Sequence, residues 1–383
     1  MDFLQEAQTI LPELSAVRQT LHQNPELGNQ ETQTAALVES FLRACGIVVE
    51  RPFGTAVVGT LHGGLPGKTV ALRADMDALP IEEQSGAPFS SHVSGRMHAC
   101  GHDVHTAALL GAAKLLSRIR DTLHGSVRFL FEPDEEGSGG ARRLIEAGCM
   151  QDVGAVFGAH VSPELPIGAV GIRYGKFYAA SDTFHVTVHG KSCHGAEPEK
   201  GIDALRTAAE MVTALHTLPS RYASARCVLS VGTLQAGSAI NVITDRAVFS
   251  GILRTLGPQD RQSMKTHLHQ TLRQIAEKSG AIADIQLHES YCGIVNTDDA
   301  AALVEQAARR LLPESLVRIL REPTMTTEDF GYLIEAAGSG AFYHIGAGCA
   351  QPLHSPHFLP NEQAICTAAA LHAAVAARYL SLE

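Results

Sequence analysis

Four short clusters hold most of the side chains able to do chemistry. They are Arg73-Ala-Asp75-Met-Asp77-Ala-Leu-Pro80, Met97-His-Ala-Cys100-Gly-His102-Asp-Val-His105, Phe131-Glu-Pro-Asp-Glu135-Glu136-Gly137 and Gly158-Ala-His160. Together they offer thiolate, imidazole and carboxylate. That mixture suits zinc, manganese, cobalt or nickel. Calcium and magnesium prefer sites built from oxygen. The adjacent pair Glu135-Glu136 adds a reactive element. One carboxylate can bind metal while its neighbour takes a proton from an activated water as general base. Each cluster alone has a plainer explanation. His160 could be a hydrogen-bonded structural imidazole, Glu135-Glu136 a solvated turn, Asp77 a turn cap and Cys100 a buried thiol. The coincidence of all four, three of them just after expected strands, favours a metal site.

The elements that must position these residues follow from hydrophobic spacing. Ile10, Leu14, Val17 and Leu21 mark one face of a first helix, stopped near Pro25. A second helix spans about 31–45, with Gly46 as its stop. Strands are expected at 56–61, 69–74, 126–131 and 155–159, and helices at 104–119 and 139–147. Strands alternating with helices predict a mostly parallel α/β sheet. In such sheets the ligand crevice lies at the carboxyl ends of the strands. Asp75, Asp77, Glu135, Glu136 and His160 should therefore converge in space. From about residue 180 the pattern becomes one-sided strand, helix, two strands, long helix, strand. That is the β-α-β-β-α-β order of a ferredoxin-like domain. Helical spacing resumes at 301–312, followed by a strand at 341–345 and a helix at 362–379. The expected organisation is an α/β domain over 1–178 and 293–383, interrupted by an inserted α+β domain over 179–292.

Composition narrows the function classes. The chain has 383 residues and a net charge of −10, without a Lys/Arg cluster, so a nucleic-acid partner is not expected. No apolar run reaches the ~18 residues of a membrane span, and the first helix lacks the basic and apolar regions of a secretory signal. Eight scattered Cys suggest reduced thiols and a cytoplasmic setting. Nineteen His is consistent with metal binding. Gly67-Lys68-Thr69 ends like a phosphate-binding loop, but His62 stands where its first Gly belongs.

Five motifs occur in order along the chain. They are His22-Gln-Asn-Pro-Glu-Leu-Gly28, Arg73-Ala-Asp-Met-Asp-Ala-Leu-Pro80, His98-Ala-Cys-Gly-His-Asp103, Glu132-Pro-Asp-Glu-Glu-Gly137 and Thr327-Glu-Asp-Phe330. Across its whole length the chain closely resembles the metal-dependent aminoacylase and hippurate-hydrolase family. Within it, the chain looks like the branch of N-acyl-amino-acid deacetylases and auxin-conjugate hydrolases. The resemblance implies a metallopeptidase (phosphorylase/hydrolase-like) catalytic domain with an inserted ferredoxin-like lid. It implies Cys100, His102, Glu136, His160 and His354 as ligands of two divalent ions, Mn²⁺ or Zn²⁺ first, Co²⁺ or Ni²⁺ next. His357 competes with His354 for that place. Asp75 stands where other branches have a ligating His and is left unassigned. Glu135 is implied as general base, and Asp77 as the residue orienting a ligating imidazole. His194 of the lid is implied to polarise the scissile carbonyl, and Asn241 and Arg254 to hold a substrate carboxylate. The implied substrate is a small N-acyl amino acid. The rivals are a dipeptidase or carboxypeptidase, and a non-catalytic amino-acid-binding member. Some relatives pair through the lid, so a homodimer is a further expectation.

Overall fold

The computed structural model describes residues 1–381. The chain divides into two compact units. The first comprises Met1–Gly175, Val295–Glu322 and Asp329–Glu383, and the second Lys176–Ile294 and Pro323–Glu328.

The first unit opens with helices α1 (Phe3–Gln23) and α2 (Thr32–Ala44). Asp2 caps α1 by accepting the backbone N–H groups of Leu4 and Gln5, both at 3.1 Å. Strands β1 (Val57–His62) and β2 (Leu65–Asp75) follow, then α3 (His102–Ser117), β3 (His124–Glu132), α4 (Ala141–Glu146) and β4 (Val153–Ser162). The second unit contains β5 (Ala180–His189), α5 (Ala204–Leu215), β6 (Cys227–Ala236), β7 (Arg246–Thr255), α6 (Pro258–Ser279) and β8 (Ile282–Tyr291). The chain then returns to the first unit with α7 (Asp298–Leu311), β9 (Gly340–Gly346) and α8 (Gln363–Leu380).

The first unit is built on one eight-stranded sheet. Its order is Val48–Glu50, β1, β3, β2, β4, β9, Val170–Ile172, Val317–Ile319. The expectation of a mostly parallel sheet holds at the centre, where β3, β2, β4 and β9 are parallel. The flanks are mixed: Val48–Glu50 and β1 run antiparallel to their inner neighbours, and Val170–Ile172 runs antiparallel to β9. Helices α1, α3 and α8 pack together against the sheet. Helix α3 is apolar on almost every side, with Val104, Ala107, Ala108, Leu109 and Leu110 all buried. The carboxyl half of β2, Val70 to Asp75, is buried without interruption. A strand covered on both faces needs apolar residues at consecutive positions. Arg73 and Asp75 break that run, and both belong to the site.

The second unit is a four-stranded antiparallel sheet in the order β6-β7-β5-β8. Helices α5 and α6 cover one face, with Met211, Leu215, Met264, Leu268 and Leu272 facing Phe184, Val186 and Phe249 in a core of its own. The element order is the expected β-α-β-β-α-β, with one difference. The helix expected after the first strand ends at Leu215, and a separate turn of helix, Leu218–Tyr222, begins with Pro219 at its start. Proline lacks the N–H that would continue the first helix.

Candidate metal centre

Strand register brings the clusters together. In the parallel β2–β3 pair Asp75 lies opposite Glu132, and in the β2–β4 pair Arg73 lies opposite Gly158. Two residues further along β4 is His160, level with Asp75. His160 lies inside β4, which runs on to Ser162, and not after the strand as its sequence suggested. The Cys100–His102 turn precedes α3, with His102 as its first helical residue. Gly101 makes that turn at φ +94°, and a Cβ there would fall 2.5 Å from Val161 Cγ2. Only glycine lets Cys100 and His102 turn inward from so tight a bend.

Ligating atoms of Cys100, His102 and His160 lie within 4.8 Å of one another, as do those of Cys100, Glu136 and His354, and those of His102, Glu135 and Glu136. Cys100 Sγ is 3.2 Å from His160 Nε2, and His354 Nε2 is 3.0 Å from Glu136 Oε1. Each inner imidazole has its outer nitrogen tied down. His160 Nδ1 donates to the Val161 carbonyl at 2.7 Å. His102 Nδ1 meets Asp77 Oδ1 at 3.1 Å, and its Nε2 is buried with no hydrogen-bond partner. With the outer nitrogen tied down, Nε2 is the atom each ring has left for a metal ion: a lone pair on neutral His160, and on His102 a position that frees its lone pair once its proton leaves. An orphaned buried nitrogen beside a thiol and carboxylates is costly unless a cation satisfies it. The donor set fits borderline divalent ions. His354, and not His357, stands at the cluster. His357 Nδ1 is engaged by the Gln84 carbonyl at 2.6 Å.

The charges around these groups reinforce one another. Burial pushes the His102 imidazole down, but the charge of Asp75 and the bond to Asp77 outweigh it and raise it to about 10. Burial, with the charges of Glu136 and Glu135, pushes the Cys100 thiol well up. Burial, with the neighbouring His105, holds His160 well down, so it is neutral. The Asp75 carboxyl would be raised by burial, but His102, His105 and Arg73 hold it well below its usual range. A divalent cation held here would supply the positive charge that a Cys100 thiolate needs.

Several supporting residues have roles that residue type and spacing do not show. Arg73 is fully buried and donates to three carboxylates: Nε to Glu132 Oε2 at 2.8 Å, Nη1 to Asp75 Oδ2 at 2.8 Å and Nη2 to Asp329 Oδ1 at 3.2 Å. Glu132 and Asp329 in turn accept the backbone N–H groups of Gly140 and Ala141, at 3.1 and 3.0 Å. The loop carrying Glu135 and Glu136 is thus clamped at both ends. Asp77 adds a hold on its middle, accepting the Glu136 N–H at 3.1 Å. His105 donates from Nδ1 to Asp75 at 2.7 Å and accepts the Val161 N–H on Nε2 at 2.9 Å. Both of its nitrogens are used, so it braces Asp75 and does not ligate. Asp329 was visible only as part of the Thr327-Glu-Asp-Phe330 motif.

In the second unit His194 and Asn241 are neighbours. The Gly195 N–H donates to the Asn241 carbonyl at 2.7 Å, and both side chains are exposed. The Ala196 N–H donates to His194 Nδ1 at 3.1 Å, which leaves the ring proton on Nε2. Arg254, at the end of β7, is half-buried. Its Nη1 donates to the Met325 carbonyl at 2.7 Å, and its Nε is buried with no partner.

A family model described as peptidase family M20/M25/M40 matches residues 71–378. The chain belongs to that family. It is 38% identical to the N-acetyl-L-cysteine deacetylase of Bacillus subtilis, over 94% of this chain and 86% of that protein. It is also 38% identical to thermostable carboxypeptidase 2 of Saccharolobus solfataricus, over 95% and 94%. A crystal structure of a Bacillus subtilis dinuclear metal-binding peptidase of the M20 family superposes with a TM-score of 0.88 at 33% identity, covering 97% of this chain and 99% of that one. As a member of the M20 group the chain is a hydrolase of amide or peptide bonds. Among the described residues no helix is long and apolar enough to cross a membrane.

Proposed function

We propose that this M20 member is a two-metal amidohydrolase that cleaves N-acyl amino acids, N-acetyl or benzoyl among them, to a carboxylate and a free amino acid. The observation that carries the reading is the placement of buried Glu135 beside His102 and Glu136. A protein that only bound metal or amino acid would have no use for a second carboxylate there. We assign Cys100, His102, Glu136, His160 and His354 as ligands, with Mn²⁺ or Zn²⁺ as the first choices. When bound, the ions activate a water and polarise the scissile carbonyl. Glu135 takes the proton of the attacking water and returns it to the leaving amine. Asp77 keeps the His102 ring in register. His194, its proton on the exposed Nε2, donates to the carbonyl oxygen as charge develops there. Asn241 and Arg254 hold the substrate carboxylate. The unsatisfied Arg254 Nε supports this, because a guanidinium grips a carboxylate through paired N–H groups. All eight cysteines are free, which supports a reducing, cytoplasmic setting. Pairing of two chains through the inserted unit belongs to the same reading.

A carboxypeptidase or dipeptidase is the second reading, favoured by the carboxypeptidase relative. Free-amine release from acetyl and benzoyl amino acids, their C-terminal amides and dipeptides separates the two. The amidohydrolase prefers the acyl amino acids and rejects the amides. Dipeptides cleaved faster than every acyl amino acid would overturn it in favour of the peptidase.

A further inference from the structure

The motif that starts at His22 takes no part in the chemistry above, yet its imidazole is fully buried between two carboxylates. His22 Nδ1 lies 2.8 Å from Asp103 Oδ2, and Nε2 lies 3.1 Å from Glu83 Oε1. A ring that meets a carboxylate at each nitrogen donates from both only as the imidazolium. Burial alone would push His22 down, but the charge and hydrogen bond of Asp103 and the bond to Glu83 raise it to about 9. Glu83, for which burial works upward, is held at about 2 chiefly by its bond to His22. Asp103 also accepts from Arg18 Nε at 2.7 Å.

Each end of this bridge reaches a proposed ligand. Asp103 follows His102 directly in the first turn of α3. Glu83 lies in an irregular stretch between Pro80 and Met97 and gathers it by accepting the Ser91 N–H at 2.6 Å and the Ser85 hydroxyl. The next residue, Gln84, donates its N–H to the Pro356 carbonyl at 2.8 Å, and its own carbonyl accepts from His357 Nδ1 at 2.6 Å. Two residues before Pro356 stands His354, at φ +64° and with its side chain 49% exposed. Its N–H donates to the Ala99 carbonyl at 2.9 Å, next to Cys100, and its half-exposed side chain takes the rest of its support from the loop.

We propose that His22 and Glu83 are positioning residues, a buried ionic latch that holds the His354 loop against the Cys100–His102 turn. The latch therefore governs one metal-binding step more than the other. Ligand atoms of His102 and His160, on α3 and β4, gather with Cys100, and those of the loop residues Glu136 and His354 also gather with Cys100. Only the loop set depends on the Gln84 contacts. The proposal rests on His354 being a ligand, and the experiment tests that separately.

The metal-stripped full chain is titrated with Mn²⁺ by calorimetry, alongside thermal melts, for the unmodified protein and for His354→Ala, Glu83→Ala and Glu83→Gln. His354→Ala should remove or weaken one of two binding steps. Glu83→Ala should weaken that same step by about 10–100-fold, the usual effect of losing an outer partner of a ligand, and leave the other step nearly unchanged. Glu83→Gln keeps an acceptor for His22 and Ser91, so it should fall between. It also carries the test if the alanine variant does not fold. Equal weakening of both steps, or a lower melting temperature with both steps intact, would mean an ordinary core ion pair and overturn the latch. If His354→Ala leaves both steps intact, His354 is no ligand and the latch has nothing to position.

Discussion

His102 and His160 lie beside Cys100, and as the proposed ligands they would differ in how they meet a metal ion. His160 is neutral, so it would bind without giving up a proton. His102 is raised to about 10 and the Cys100 thiol is pushed well up, so both carry protons at neutral pH that a cation must displace. Apparent metal affinity should rise with pH by about tenfold per unit for each proton displaced, and fall as the solution is acidified. Competition with a metal indicator across neutral pH measures this, and an affinity independent of pH would contradict the assignment of both groups. His194 belongs to the same scale. If His194 donates to the scissile carbonyl as proposed, His194→Ala should lower kcat by about 10²–10³-fold with a smaller change in KM. A rise in KM alone would make it a binding residue. The convergence of Cys100, His102, Glu135, Glu136 and His160 was legible in the sequence from their residue types and from the strands expected around them, whereas His354 came into view only through the family resemblance. Arg73 and His105 were in view, but their roles were not. A residue that holds another residue is recognisable only once its partner, here Glu132, Asp329 or Val161, is known.

Strands β2, β3 and β4 do the positioning at the next scale. Their parallel register sets Asp75, Glu132 and His160 level, and Arg73 ties β2, β3 and the segment at Asp329 into one buried cluster. Removing the guanidinium leaves three buried carboxylates without their cation. Arg73→Met should therefore cost about 3–5 kcal/mol of stability and free the Glu135–Glu136 loop, read by denaturant unfolding and by hydrogen exchange at Gly140 and Ala141. Unchanged protection at those two amides would contradict the clamp. Long elements were legible because their periodicity runs over many residues, as in α1 and α6. The three-residue strands Val48–Glu50, Val170–Ile172 and Val317–Ile319 were not. Three residues show no period, and such strands exist only because a neighbour pairs with them. The mixed flanks of the sheet escaped notice for the same reason.

For the molecule as a whole, the inserted unit has its own sheet and its own apolar core. Its ferredoxin-like order stood out in the sequence because one-sided strands alternate, whereas the strands of the first unit are continuously apolar. Segment 323–328 clusters with the second unit although it lies far along the chain from Ile294. That return was not legible, since nothing in six residues of coil signals which core they join. Metal binding by the first unit and proton transfer by Glu135 are the two halves of the proposed function. Glu135→Gln tests both at once. Metal content per chain and free-amine release from an N-acyl amino acid are measured on the same sample, before and after chelation and metal return. The variant should hold two ions per chain, as the unmodified protein should, with turnover lower by about 10²–10⁴-fold. Turnover at the unmodified rate with metal bound would contradict the claim.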